Sequence, residues 1–222
     1  LNLRKVLIFQ EKAPIYGRFE IMIAIIDYDA GNIKSVEKAV QLLGGEVSVT
    51  RDPATIMSAD HVILPGVGAF GDAMGKLTEY GLVDTIKSVV DSQIPFLGIC
   101  LGLQLLFDES DEAPGVKGLG ILPGKILRIP DAPGLKIPHM GWNSLEIGAG
   151  QPLFKGIGNG AYVYFVHSYY LKAENEADVA ATTEYSVRIH ASVAHENVYA
   201  CQFHPEKSGR VGLQILGNFL AL

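Results

Sequence analysis

The stretch PFLGICLGLQLLF, residues 95–107, decides how this chain is read. Pro95 opens a short apolar run, Phe96 to Ile99, of the kind that fills a buried strand, and a helix begins at Leu101. Between them sits Cys100, flanked by Gly98 and Gly102. This is the G-x-nucleophile-x-G pattern of a nucleophile elbow, with sulfur in place of oxygen. A sharp strand-to-helix turn exposes the central side chain at the end of the strand, and bulk two residues to either side would clash. The helix N-terminus favours thiolate over thiol. The Leu101 N–H is expected to be free to donate to an oxyanion. Cys201, within VYACQF, has no such glycines and reads as ordinary strand packing.

Outward from the elbow, the chain alternates. A strand at 22–27 precedes a helix at about 32–43, in which Ile33, Val36, Val40 and Leu43 share one face. Gly44 and Gly45 end that helix, and strands at 46–50 and 61–65 follow. A glycine-rich loop then leads into helical sequence from about 72 to 91. Such a βαβα series implies a largely parallel sheet with helices on both faces. The second half changes to short strand-like runs at 124–129, 142–147, 161–167, 186–193 and 198–203, with a closing helix at about 209–221.

Composition narrows the function classes. With 48% hydrophobic and 19% charged residues, a chain of 222 residues can fill one core, and disorder as the main state is excluded. A net charge of −6 argues against a dedicated nucleic-acid binder. Two cysteines cannot make a disulfide framework, which points to a reducing, cytoplasmic setting. The longest apolar runs, IMIAII at 21–26 and AYVYFV at 161–166, fall far short of the ~20 residues that span a bilayer. Residues 1–21 carry mixed charge and no sustained period, so they are expected to be an N-terminal extension outside the catalytic fold. An extra edge strand at Lys5–Gln10 is the alternative, and the domain proper is expected over 22–222.

Gly66-Val-Gly-Ala-Phe-Gly71 matches the GxGxxG dinucleotide fingerprint, with Asp91 twenty residues beyond. The match follows the third strand rather than the first, Pro65 precedes it, and Asp91 falls at a helix end. Those placements favour another use of the glycines: a backbone that approaches a ligand closely and presents its N–H groups.

A thiolate nucleophile needs a base and a group to orient that base. Of six histidines, His204 is best placed, because it follows the strand VYACQF. Pro205 stiffens the turn, and Glu206 can lie beside the imidazole and fix its tautomer. His61, His190 and His195 read as structural, and His139 and His167 lie in aromatic-rich strands. No HxxxH or CxxC spacing occurs, so neither a metal nor a cofactor is expected.

GICLGLQLLF around Cys100 and QFHPEKSG around His204 resemble the class I, triad-type glutamine amidotransferases. IIDYDAGNIKSV, LPGVGAFGDAM, IPHMGWNSL and YFVHSYY resemble one branch, the glutaminases of histidine biosynthesis, and the resemblance covers residues 22–222. It implies a three-layer α/β/α fold with antiparallel strands added in the second half. It further implies that Cys100 attacks the amide of glutamine, His204 moves the proton to departing ammonia, and Glu206 orients His204. The resulting thioester is hydrolysed to glutamate. Val67, Gly68 and Leu101 would form the oxyanion hole, and Gly66, Gly68, Leu101, Gln104, His167, Ser168 and Tyr169 would bind glutamine.

The same resemblance implies a heterodimer with a (β/α)₈ cyclase subunit that receives the ammonia and makes imidazole glycerol phosphate and an aminoimidazole carboxamide ribotide. Met140, Trp142, Asn143 and Lys207 are expected on the docking face, although Trp142 could equally be core and Lys207 a solvated lysine. Weak glutaminase activity is expected alone, with the Gly66–Gly71 loop becoming productive on docking. Rival readings keep the fold but change the acceptor, remove the chemistry to leave a binding module, or make the chain a cysteine protease or esterase. The first two are disfavoured by PHMGWN with PGVGAFGD and by the intact Cys100, His204 and Glu206.

Overall fold

The computed structural model describes residues 21–222, so the expected extension (except Ile21) and the alternative strand at Lys5–Gln10 lie outside the described residues. In the first half, β1 (Met22–Ile26), α1 (Ile33–Leu42), β2 (Glu46–Thr50), α2 (Pro53–Met57) and β3 (His61–Leu64) follow one another. Then come α3 (Phe70–Glu79), α4 (Leu82–Asp91), β4 (Phe96–Ile99) and the five-residue α5 (Leu101–Leu105). Sheet pairing reaches one residue further back than expected, because the Ile21 carbonyl accepts from the Glu46 N–H at 3.2 Å.

Alternation along β1 shows why the sheet is covered on both sides. Ile23 and Ile25 face a core shared with α1 and the closing helix α6 (Gly209–Phe219), while Ala24 and Ile26 face the core under α3 and α4. All four are fully buried. The expected helix over 72–91 is in fact two, parted at Gly81, whose φ of +66° lies in the left-handed region where glycine carries no Cβ penalty.

The second half supplies β5 (Glu109–Ser110), β6 (Gly124–Arg128), β7 (His139–Ser144), β8 (Glu146–Ile147), β9 (Tyr162–His167) and β10 (Tyr169–Ala173). It closes with β11 (Val179–Tyr185), β12 (Val187–His195), β13 (Val198–Cys201) and α6. The main sheet runs β2-β1-β3-β4-β13-β12-β11-β8, parallel through β13 and antiparallel beyond it. The fold is therefore α/β with a largely parallel central sheet and antiparallel additions. The strand expected at 142–147 is split between two sheets: β7 pairs with β9 in a two-stranded ribbon, and β8 joins β11.

The parallel pair β4–β13 is what builds the site. Its register, Ile99 opposite Cys201, sets the turn after β4 beside the turn after β13, so Cys100 and His204 come from adjacent strand ends.

Candidate active site

Cys100 occupies the elbow at φ +56° and ψ −106°, a conformation rarely tolerated by a residue with a Cβ. Its N–H is tied to the Cys201 carbonyl at 2.8 Å, which clamps the turn onto the neighbouring strand. The flanking glycines are sterically required. A Cβ on Gly98 would lie 2.8 Å from the Gly102 carbonyl oxygen, and one on Gly102 would lie 1.9 Å from the Leu64 carbonyl oxygen. Because α5 has only five residues, its dipole is short, and the local electrostatics come chiefly from side chains.

The principal side chain is His204, fully buried, whose backbone N–H donates to the Tyr164 carbonyl at 2.9 Å. The Ser208 hydroxyl donates to the His204 carbonyl at 2.6 Å and accepts from the Tyr164 N–H at 2.9 Å, locking this turn to β9. His204 Nδ1 lies 2.8 Å from Glu206 Oε1, and both side chains are out of contact with solvent. The carboxylate also accepts from Asn32 Nδ2 at 2.7 Å, a contact from the start of α1 that sequence reasoning missed. Carboxylate on Nδ1 leaves Nε2 as the nitrogen available to the thiol, and among the described residues Nε2 has no hydrogen-bond partner. Burial opposes charge on His204, but the Cys100 sulfur and the Glu206 carboxylate outweigh it and raise the imidazole to about 9.

A cavity of about 290 Å³ opens at Cys100, walled by Val67, Gly68, Leu101, Gln104, His167, Ser168 and Tyr169 together with Glu112, Pro138 and Val166. Gly66 is not among its walls; its carbonyl instead accepts from the Leu101 N–H at 3.3 Å. The expectation that this N–H is free is corrected: the backbone of the loop before α3 occupies it. Gly68, at φ +110°, holds that loop in a shape a side chain would oppose.

Gln104 donates through Nε2 to the Tyr169 carbonyl at 3.1 Å and to Gln202 Oε1 at 3.0 Å, which leaves its own Oε1 for a ligand. Gln202, fully buried, directs Nε2 toward Cys100 Sγ at 3.8 Å. Among the described residues Glu112 is the only carboxylate in the wall, and its Oε2 accepts from the Phe70 N–H at 2.8 Å. Its sequence setting, DESDEAP, looks like any solvated acidic turn, so nothing there separates it from Glu109 or Asp111. Asn32 and Gln202 likewise carry no sequence signal, since both act through contacts across the fold.

Met140 and Trp142 lie outside the cavity on the β7–β9 ribbon, 62% and 55% exposed, so the core reading of Trp142 is set aside. Lys207 is exposed, and Asn143 donates to the Glu184 carbonyl at 3.0 Å. His61 is buried against Phe219, His190 accepts from the Ala173 N–H at 3.1 Å, and His195 pairs with Asp178 at 2.9 Å. Among the described residues, no cluster of His, Cys, Asp and Glu could hold a metal ion, and no helix is long and apolar enough to cross a membrane.

Residues 24–222 match the family model "Glutamine amidotransferase class-I". The chain is 51% identical over 198 residues to the imidazole glycerol phosphate synthase subunit HisH of Listeria innocua, covering 89% of this chain and 94% of that protein. It is 48% identical over 201 residues to the HisH subunit of Methanocaldococcus jannaschii, covering 90% of this chain and 100% of that one. The solved structure of PurLQS from Thermotoga maritima shares the fold, with a TM-score of 0.71 at 20% identity over 90% of this chain and 98% of that chain.

Proposed function

Because this chain belongs to the class I glutamine amidotransferases, we propose that it is the glutaminase subunit of an imidazole glycerol phosphate synthase, working in histidine biosynthesis. The observation that carries the chemistry is the buried Glu206–His204 pair next to a cysteine strained onto the tip of an elbow. Cys100 Sγ attacks the side-chain amide carbon of glutamine, and His204 gives its proton to the amide nitrogen as the C–N bond breaks. Ammonia leaves a thioester on Cys100. Water, deprotonated by the now neutral His204, cleaves the thioester to glutamate and restores the thiolate and imidazolium. Glu206 holds the imidazole in the required tautomer throughout. Gln104 Oε1 and the Glu112 carboxylate are suited to the α-ammonium of the substrate.

The oxyanion donors are the unfinished part of the site. Leu101 N–H can serve an oxyanion only after the Gly66 carbonyl lets go of it, and Val67 and Gly68 must turn with that peptide. A lost oxyanion donor costs about 10²–10³ in rate, so the chain alone is a weak glutaminase. A (β/α)₈ cyclase subunit docks over the face carrying Met140, Trp142, Asn143 and Lys207 and shifts this loop to its productive shape. The ammonia then passes to the cyclase, which makes imidazole glycerol phosphate and an aminoimidazole carboxamide ribotide.

Ammonia release from glutamine, measured for the chain alone and with a cyclase subunit present, tests this reading. Slow release alone and an increase of about 10²-fold or more with the cyclase are expected. No ammonia under either condition would overturn it.

The pH dependence follows from His204. Its pKa in the fold, about 9, lies above the ~6.5 of a free imidazole. Stabilisation from this group is therefore fully present below about 6.5 and is lost as pH rises through about 9. Since the imidazolium supplies the proton for departing ammonia, kcat for glutamine should fall along the same limb. A kcat–pH profile flat to pH 10 would contradict the assignment.

A further inference from the structure

A run of buried and part-buried hydrogen bonds joins the exposed ribbon to the nucleophile. With both imidazoles neutral, its direction follows from the groups at its ends. The Tyr169 carbonyl can only accept, so His167, 2.8 Å away through Nδ1, carries its proton there. His167 Nε2 must then accept, and His139 donates to it from Nδ1 at 3.0 Å. That leaves His139 Nε2 as an acceptor for the Asn143 amide, Nδ2 at 3.4 Å.

Beyond the same Tyr169 carbonyl stand Gln104 and Gln202, the second of which faces Cys100 Sγ. His139 is held flat between Phe165, 4.8 Å away, and Tyr185, 3.9 Å away. It lies opposite His167 in the β7–β9 register, three residues before Trp142 on the strand that carries the docking face.

We propose that His139 is a positioning residue for the glutamine reaction, a neutral imidazole of fixed tautomer that ties the docking ribbon to the Tyr169 carbonyl and so to the Gln104–Gln202 amide pair at the nucleophile. It touches neither the cavity nor Cys100. Its contribution is to keep His167 turned so that the Tyr169 peptide stays put, because an unpartnered buried His167 Nε2 would favour another rotamer. Burial holds the imidazole neutral, with His139 pushed down to about 4 and His167 to about 3, so both keep the acceptor nitrogen that the run requires. The proposal rests on the glutaminase reading above.

Two variants separate positioning from packing, both assayed in the complex with the cyclase. His139→Asn keeps a donor close to the place of Nδ1 but loses the stacked ring. His139→Phe keeps a flat ring between Phe165 and Tyr185 but has no donor.

For His139→Phe, KM for glutamine should rise about tenfold, the worth of one buried hydrogen bond. Alkylation of Cys100 by iodoacetamide should slow, while ammonium-driven cyclisation stays at the wild-type rate. His139→Asn should keep KM and alkylation near wild type, even if its melting temperature falls further. Wild-type KM in His139→Phe, or equal losses in both variants that follow melting temperature, would overturn the proposal. The alkylation arm requires no glutamine turnover, so a wild-type complex that alkylates but releases no ammonia would count against the glutaminase reading and leave the His139 comparison standing.

Discussion

Replacing Cys100 with alanine should reduce glutamine hydrolysis by about 10⁴–10⁶-fold, the loss seen when the nucleophile of a catalytic triad is deleted. The cyclase in the same complex, supplied with ammonium salt, should turn over at its full rate. Among the described residues, no other group at the cavity is placed to take over. Cys201 is fully buried, its thiol pushed well up by desolvation, with Sγ directed at the Phe203 carbonyl at 3.5 Å. Ser168 lines the wall, but both nitrogens of the adjacent His167 are engaged elsewhere. Initial rates of glutamate formation check the first claim and ammonium-dependent product formation the second. Residual glutaminase activity above about 1% would mean that the nucleophile lies elsewhere.

Gly102→Ala should damage the fold severely at the elbow. The added methyl would sit 1.9 Å from the Leu64 carbonyl oxygen and 3.0 Å from its carbon, and β3 is fully buried there and cannot retreat. Destabilisation of about 4 kcal/mol or more is expected, enough to remove most soluble protein. Gly75→Ala is the control. It lies within α3 with nothing inside 4 Å of the new methyl, and it should gain about 0.5–1 kcal/mol from helix propensity. Denaturant midpoints of the two variants, compared with wild type, give the answer directly. A Gly102→Ala protein with a wild-type midpoint would show that the elbow can open by itself.

The elbow was legible because its constraint is local: two glycines two residues from a cysteine mean the same thing in any fold of this kind. The apolar strands β1, β3 and β4 were legible for a related reason, since a strand buried on both faces reads as an unbroken apolar run. Three strands of the second half carry no strand signal: β5 has only two residues, and YYLKA of β10 and VAATTEY of β11 mix polar and apolar residues without a clear period of two. The helical pattern across 72–91 concealed a break, because one glycine at positive φ interrupts it without disturbing the apolar spacing on either side.

At the site, Cys100, His204 and Glu206 could be singled out from flanking residues. The engagement of the Leu101 N–H by Gly66 could not, since it depends on how the loop after β3 lies against the elbow. The run from Asn143 to Tyr169 was hidden for the same reason. His139 and His167 meet only through the β7–β9 pairing, across 28 positions of sequence.

Glutamate formation by the wild-type chain and by Cys100→Ala, each mixed with the cyclase subunit and its nucleotide substrate, tests the central claim most directly. The account predicts glutamate and imidazole product appearing one for one with wild type, and neither from glutamine with the variant. Equal glutamate formation by the two proteins would contradict it.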